Sequence, residues 1–264
     1  MSAVRTLRYV AIGDSLSEGV GDLPWPDGTP RGWADRLAQV LADHHGGLDY
    51  ANLAIRGHRT VEVLATQAQP ALALDPDIVT LTAGMNDILR PRLDVAALRQ
   101  RLVDIVAPFT AKGVRVAVVP IPDLRGVTPA GRLLQRRRLL LNELYDGLAQ
   151  EHEMIPPTVT TGTVFEDRRA WAEDRLHLSE LGHTRLAVAA AELMGVPATT
   201  DWAGLPDGPP PRRTVRTEVA WTREYVWPWT WRRLRGRSTG DGRTAKHPDL
   251  VRQRSRGPGR MVES

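Results

Sequence analysis

Ser15 stands where a short apolar run, Tyr9 to Ile12, is cut off by Gly13 and Asp14. Such a run reads as a fully buried strand, and the turn after it projects a side chain from the strand's carboxyl end, where open α/β sheets bind their ligands. A serine placed there is either a nucleophile or the N-cap of the helix that follows. Far downstream, Asp174 and His177 are separated by one helical turn, which puts both on one face. The carboxylate can then orient the imidazole and fix its tautomer, leaving the other ring nitrogen to take a hydroxyl proton. Ser15, Asp174 and His177 in that chain order have the makings of an acyl-transfer triad, a geometry that has arisen in several chain orders. Two further turns, at Gly57 and Asn86, close the second and third expected strands and fall beside Ser15 at the same sheet edge.

Four segments carry a family resemblance. Gly13 to Leu16 resembles the GDSL signature of the SGNH hydrolase superfamily. Asn52 to Gly57 resembles its second block, Gly84 to Asp87 its third, and Asp174 to His177 its last, in the family's order over roughly residues 7–195. The resemblance implies Ser15 as nucleophile, His177 as general base and Asp174 as the third member of the triad. It also implies an oxyanion hole built from the backbone N–H groups of Ser15 and Gly57 and the side-chain amide of Asn86. Those residue types suit the role: an amide donates without competing for the serine proton, and a glycine lets its backbone N–H approach the substrate. The implied activity is that of a serine-dependent esterase, lipase or acylhydrolase, working through an acyl-enzyme on a carboxylic or thioester with no cofactor. Leu178 departs from the family, which often has proline after the histidine; this affects loop stiffness more than chemistry.

The elements that must position these residues alternate regularly. Strands are expected at Tyr9–Ile12, Leu48–Ile55, Pro76–Ala83 and Val114–Val119, with a weaker fifth at Met154–Thr160, where Pro156 and Pro157 restrict pairing. Helical periodicity runs from Trp33 to Leu41, through Val61 to Ala68, from Val95 to Phe109, from Ala130 to Glu151 and from Thr184 to Met194. Alternation with short connections implies right-handed crossovers and a parallel sheet of about five strands with helices on both faces, a three-layer flavodoxin-like α/β fold.

Several neighbouring residues have two readings. Leu16, Met85, Leu124, Leu176 and Leu178 flank the motifs as an acyl-binding wall or as ordinary core, and Ile88 likewise. Trp25, between prolines, either caps the cleft or pins its loop. Asp14 and Asp87 are expected to brace their turns, and His183 to pack at a helix start. Asp174 and His177 lack a third ligand, so no metal site is expected.

The chain has 264 residues, 42% apolar and 25% charged, which is ordinary for a globular protein. It has no cysteine, so disulfides and thiolate metal sites are excluded. The N-terminal residues lack the apolar core of a signal peptide, and the cytoplasm is the expected address. Charge divides the chain: residues 1–200 hold 21 Lys+Arg against 24 Asp+Glu, whereas residues 201–264 hold 14 against 7 and five of the eight tryptophans. Residues 1–200 are therefore expected to form the catalytic domain and 201–264 a Trp/Arg-rich extension. Pro206 to Pro211 reads as a spacer, and Val215 to Tyr225 as an amphipathic helix presenting Val215, Val219, Thr222 and Val226. The extension is expected to dock on the acidic body beside the cleft, with the last 25 or so residues disordered. The expected partner is a small-molecule ester; no nucleic acid is expected, and weak attachment to anionic membranes through the tail is the competing reading. A non-catalytic binding protein on the same fold, with the basic tail as its working surface, is the alternative function.

Overall fold

Tyr9 and Ala11 turn to one side of a central sheet and Val10 and Ile12 to the other, and all four are completely buried. A strand buried on both faces is what an uninterrupted apolar run encodes, because alternate side chains leave opposite faces of the pleat. The computed structural model describes residues 5–257 apart from 159, 199 and 236. In chain order it contains β1 (Arg8–Gly13), α1 (Ser15–Glu18), α2 (Gly32–His45), β2 (Leu48–Asn52), α3 (Thr60–Val63) and α4 (Gln69–Ala73). There follow β3 (Ile78–Thr82), α5 (Met85–Ile88), α6 (Val95–Thr110), β4 (Arg115–Val118), α7 (Gly131–Glu151), α8 (Glu180–Leu193), α9 (Val215–Trp221), α10 (Trp227–Leu234) and β5 (His247–Gln253). Helices α3 and α4 are joined by a π-helical turn, Leu64–Ala68, and α9 and α10 by another, Thr222–Val226.

The sheet order is β4-β3-β1-β2-β5, parallel except for β5. Helices α2 and α8 cover one face through Trp33, Leu37, Leu41, Leu186 and Ala190. The other face packs on α6 and α7 through Leu98, Leu102, Ile105, Leu141 and Tyr145. The three-layer α/β architecture expected from the alternation is therefore present. The chain steps from β1 to β2 on one side and returns from β2 past β1 to β3 on the other, so the crevice at the carboxyl end of β1 is the switch point where such sheets bind ligands.

Two expectations are corrected. The fifth strand is not Met154–Thr160: there Ile155 makes one bridge to Ala117 and its N–H bonds the carbonyl of Val116 at 2.8 Å. The prolines that follow carry no N–H with which to continue a ladder. The fifth strand comes instead from the far C-terminus. β5 pairs antiparallel with β2, matching Leu48 to Gln253 and Tyr50 to Val251, so the expected disordered end is corrected over residues 247–253. Residues 258–264, which that expectation also covers, lie outside the described residues.

The extension is anchored ahead of β5 by Lys246. Its ammonium, 5% exposed, donates to the carbonyls of Glu18 at 2.8 Å, Pro30 at 2.9 Å and Arg31 at 2.6 Å and pairs with the equally buried Asp35. Burial pushes the Asp35 carboxyl up to about 6 against the pull of the ammonium, and pushes Lys246 down. Helix α9 does not bury the expected face: Val215 and Val219 are exposed, whereas Glu218 and Trp221 make contacts with the body. No helix among the described residues is long and apolar enough to cross a membrane.

Candidate active site

Asp14, not Ser15, caps α1. Its carboxylate accepts the N–H of Leu16 at 3.1 Å, so Ser15 becomes the first residue of the helix and its hydroxyl is not spent on capping. The turn is made possible by Gly13, whose φ of 132° is open to glycine alone, and where a Cβ would fall 2.1 Å from the carbonyl oxygen of Thr82. The Gly13 peptide is held by Gln67 of the π-helical turn, which accepts from its N–H at 2.7 Å and donates to its carbonyl at 2.9 Å. Sequence reading missed Gln67, because no local pattern announces a polar side chain that crosses the layers.

Beside this turn, Gly84 follows β3 at the cap of α5, again at positive φ, and α5 presents Asn86. One Nδ2 hydrogen of Asn86 is fixed by the carbonyl of His58 at 2.9 Å. The other faces Asp14 Oδ2 at 3.4 Å, a contact too long to hold it firmly. Asp87 braces this corner as expected, accepting the N–H of Thr60 at 2.9 Å and its hydroxyl at 2.8 Å. Asp14 is 4% exposed, and burial pushes its carboxyl up to about 6 against the bonds from Leu16 and Thr82.

The imidazole comes from the loop before α8. His177 Nδ1–H donates to Asp174 Oδ2 at 2.5 Å. The other oxygen of Asp174 accepts the backbone N–H groups of Leu176 at 2.9 Å and His177 at 3.0 Å. Burial raises the Asp174 carboxyl, but the imidazole and the two N–H groups outweigh it and hold the group below its ordinary value. With Nδ1 committed, Nε2 is the nitrogen turned to the cavity. Between Asp174 and His177, Arg175 takes a left-handed backbone, φ 58°, and is clamped from outside by Glu218 at 2.7 and 2.8 Å and by stacking on Trp221 at 4.5 Å.

Ser15, Asn86 and His177 line one cavity of about 850 Å³ including its open mouth. Leu16, Met85, Leu124, Leu176 and Leu178 line it as well, and Leu124 and Leu178 are also core. Ile88 does not line it and is ordinary core. Missed by the sequence reading were Val119, Ile121, Tyr145, Phe165 and Trp171. The first two follow the carboxyl end of β4, and the strand-end argument that found Ser15 would have found them. Ser15 and His177 share the cavity without a hydrogen bond between them, an arrangement common before substrate draws such groups together. Gly57 is not in this cavity: it lines a smaller one on the far side of Asn86. Trp25 lies elsewhere, stacked under Arg31 at 4.7 Å, and pins its loop. His183 is a buried packing residue. It accepts the N–H of Trp33 at 3.0 Å and bonds the carbonyl of Val20 at 3.1 Å, and burial pushes it down to about 4.

These features define a three-layer α/β fold with a serine and a carboxylate-bound histidine in one cavity, and the chain belongs to the GDSL-like lipase/acylhydrolase family, whose model matches residues 11–185. That membership places it among hydrolases acting on esters. It is 33% identical over 106 residues to the uncharacterized protein YpmR of Bacillus subtilis, a match spanning 38% of this chain and 37% of that protein. The structure of TesA is similar with a TM-score of 0.56 at 25% identity, covering 71% of this chain and 97% of TesA. A catalytic mutant of Axe2, an acetylxylan esterase from Geobacillus stearothermophilus, superposes with a TM-score of 0.60 at 18% identity, covering 77% and 99%. LAE5, an alpha/beta hydrolase from the metagenome of Lake Arreo, does so at 0.60 and 19%, covering 72% and 95%. Among the described residues no cluster of three or more potential ligands could hold a metal ion.

Proposed function

We propose that the chain is a carboxylic ester hydrolase with Ser15 as nucleophile, His177 as general base and Asp174 as the group that orients it. The observation that carries this reading is the commitment of His177 Nδ1 to Asp174, which leaves Nε2 as an acceptor in the cavity that Ser15 lines. His177 Nε2 takes the hydroxyl proton as Ser15 Oγ bonds the ester carbon, and the carbonyl oxygen becomes an oxyanion. In this reading the Asn86 N–H that faces Asp14 turns to that charge together with the backbone N–H of Ser15, and a single donor of this kind is typically worth about 100- to 1,000-fold in rate. The carbon–oxygen bond to the alcohol then breaks as His177 returns the proton to the departing oxygen. Water, deprotonated in turn by His177, releases the acid and regenerates Ser15. The Gly57 N–H is a further donor only if the carbonyl reaches past Asn86 toward the neighbouring cavity.

The walls of the main cavity are chiefly aliphatic and aromatic, which suits an acyl chain more than a sugar. Hydrolysis of p-nitrophenyl esters of graded chain length by wild type and Ser15→Ala tests the proposal. Loss of at least about 1,000-fold in kcat/KM on substitution is expected; equal rates for the two proteins would overturn the serine mechanism.

A further inference from the structure

The cavity beyond Asn86 is chemically unlike the acyl cavity. Gly57 and Asn86 form its catalytic side, and Arg90, Arg232 and Arg237 its outer side, with Ser238 and Thr239 between them. No carboxylate lines it. Other arginines of the chain are neutralised by carboxylates, as Arg36 is by Asp22, Arg56 by Glu18 and Arg169 by Asp167, or are held by carbonyls and amides, as the buried Arg138 is by Ile121 and Gln135. Here none of the three guanidinium groups has an acidic partner among the described residues, and Arg90 Nε is buried with no hydrogen-bond partner. Arg90 is half-buried and Arg232 and Arg237 are exposed, and three like charges around one small space favour an anion between them. A planar guanidinium with several donors matches the oxygens of phosphate, and two hydroxyls add neutral donors.

The position of this cavity gives it a meaning for catalysis. Asn86 lines both cavities, so a carbonyl held at its amide has the apolar space on one side and the arginines on the other. The extension supplies much of the arginine side. Its segment 238–240 packs directly on 55–57: Ser238 Oγ donates to the Gly57 carbonyl at 3.3 Å, and a Cβ at Gly240 would fall 2.2 Å from the Arg56 carbonyl oxygen.

We infer that this cavity is a subsite for a phosphate group carried by the alcohol part of the ester, with the acyl chain in the apolar cavity. This rests on the hydrolase reading above. It assigns the extension a role in choosing the leaving group, built from Arg232, Arg237, Ser238 and Thr239, with Arg90 supplied by the catalytic body.

The test uses the full chain and three esters of one acid: p-nitrophenyl octanoate, 1-octanoylglycerol and 1-octanoylglycerol 3-phosphate. In wild type, kcat/KM for the phosphate-bearing glycerol ester is expected to exceed that for the neutral glycerol ester by tenfold or more, on the order of one good charged contact. In Arg232→Ala/Arg237→Ala that ratio should fall to near one, chiefly through KM. Glycerol 3-phosphate should raise the Tm of wild type and not of the double variant, a readout that requires no turnover. Inorganic phosphate should do so at tenfold higher concentration only; equal potency would contradict a leaving-group subsite. A ratio near one in wild type, or a preference that survives in the double variant, overturns the inference. Inactivity of wild type on all three esters would instead defeat the hydrolase reading, and the Tm shift would still decide the phosphate site.

Discussion

The indole N–H of Trp221 donates to the main-chain carbonyl of Asp174 at 3.2 Å. A residue of the extension thereby holds the carboxylate-bearing corner of the proposed triad, and the same helix clamps Arg175 through Glu218. A left-handed non-glycine residue costs on the order of 1 kcal/mol or more and persists only where its surroundings fix it. Removing the clamp should let the 174–177 turn relax. Trp221→Ala is expected to lower kcat roughly 5- to 50-fold with little change in KM, as expected where misplacement and not lost binding is the cause. A change confined to KM, or none, would show that the helix is only a cover.

Asp174→Asn should cost more than any change in the extension. The replacement amide can present an N–H to Nδ1 and favour the wrong tautomer, and such exchanges reduce kcat by as much as about 10,000-fold. Steady-state rates at neutral pH compare it directly with wild type. A loss under tenfold would mean that His177 is oriented by something other than the bond it makes with Asp174.

Much of this site was readable in the sequence because its informative residues are local. A buried strand ended by glycine and a polar residue identifies a turn wherever it falls, and Asp174 and His177 are close enough to meet without help from the fold. What could not be read is non-local. β5 contains Pro248 and charged residues and is exposed over much of its length, because an edge strand needs few apolar side chains. Its pairing with β2 joins residues some 200 positions apart. In the sequence Lys246 is one basic residue in a basic tail, and only the fold brings it to Asp35. The same holds for the outward Val215 and Val219: periodicity gave the helix but not the face it would bury.

The Lys246–Asp35 pair should be costly to break. Both side chains are almost entirely removed from solvent, so Lys246→Met leaves a carboxylate with no cation. Removing one member of a buried pair typically destabilises by about 3 kcal/mol or more. Urea unfolding should show that loss, and adding Asp35→Asn should recover part of it. An unchanged midpoint in Lys246→Met would contradict the anchoring role.

Acid should weaken the fold through His183. Its folded pKa of about 4 lies below the unfolded value near 6.5, so the folded state binds fewer protons between them. The contribution is fully present above about pH 6.5 and is lost as pH falls toward 4, amounting to about 3 kcal/mol across the window. Asp14, pushed up to about 6, acts in the opposite direction over part of the same range, since protonation relieves its burial. His183→Gln separates the two effects: the stability advantage of wild type over the variant should shrink from pH 7 to pH 4.5. An advantage independent of pH would remove His183 as the source.

The most direct test of the central claim is the site of covalent capture by an alkyl fluorophosphonate, read by mass spectrometry of the intact chain and its peptides. One adduct per chain is expected, on the peptide bearing Ser15, absent in Ser15→Ala and slowed at least 100-fold in His177→Ala. An adduct on another residue in the wild type, or full ester hydrolysis by Ser15→Ala, would contradict it.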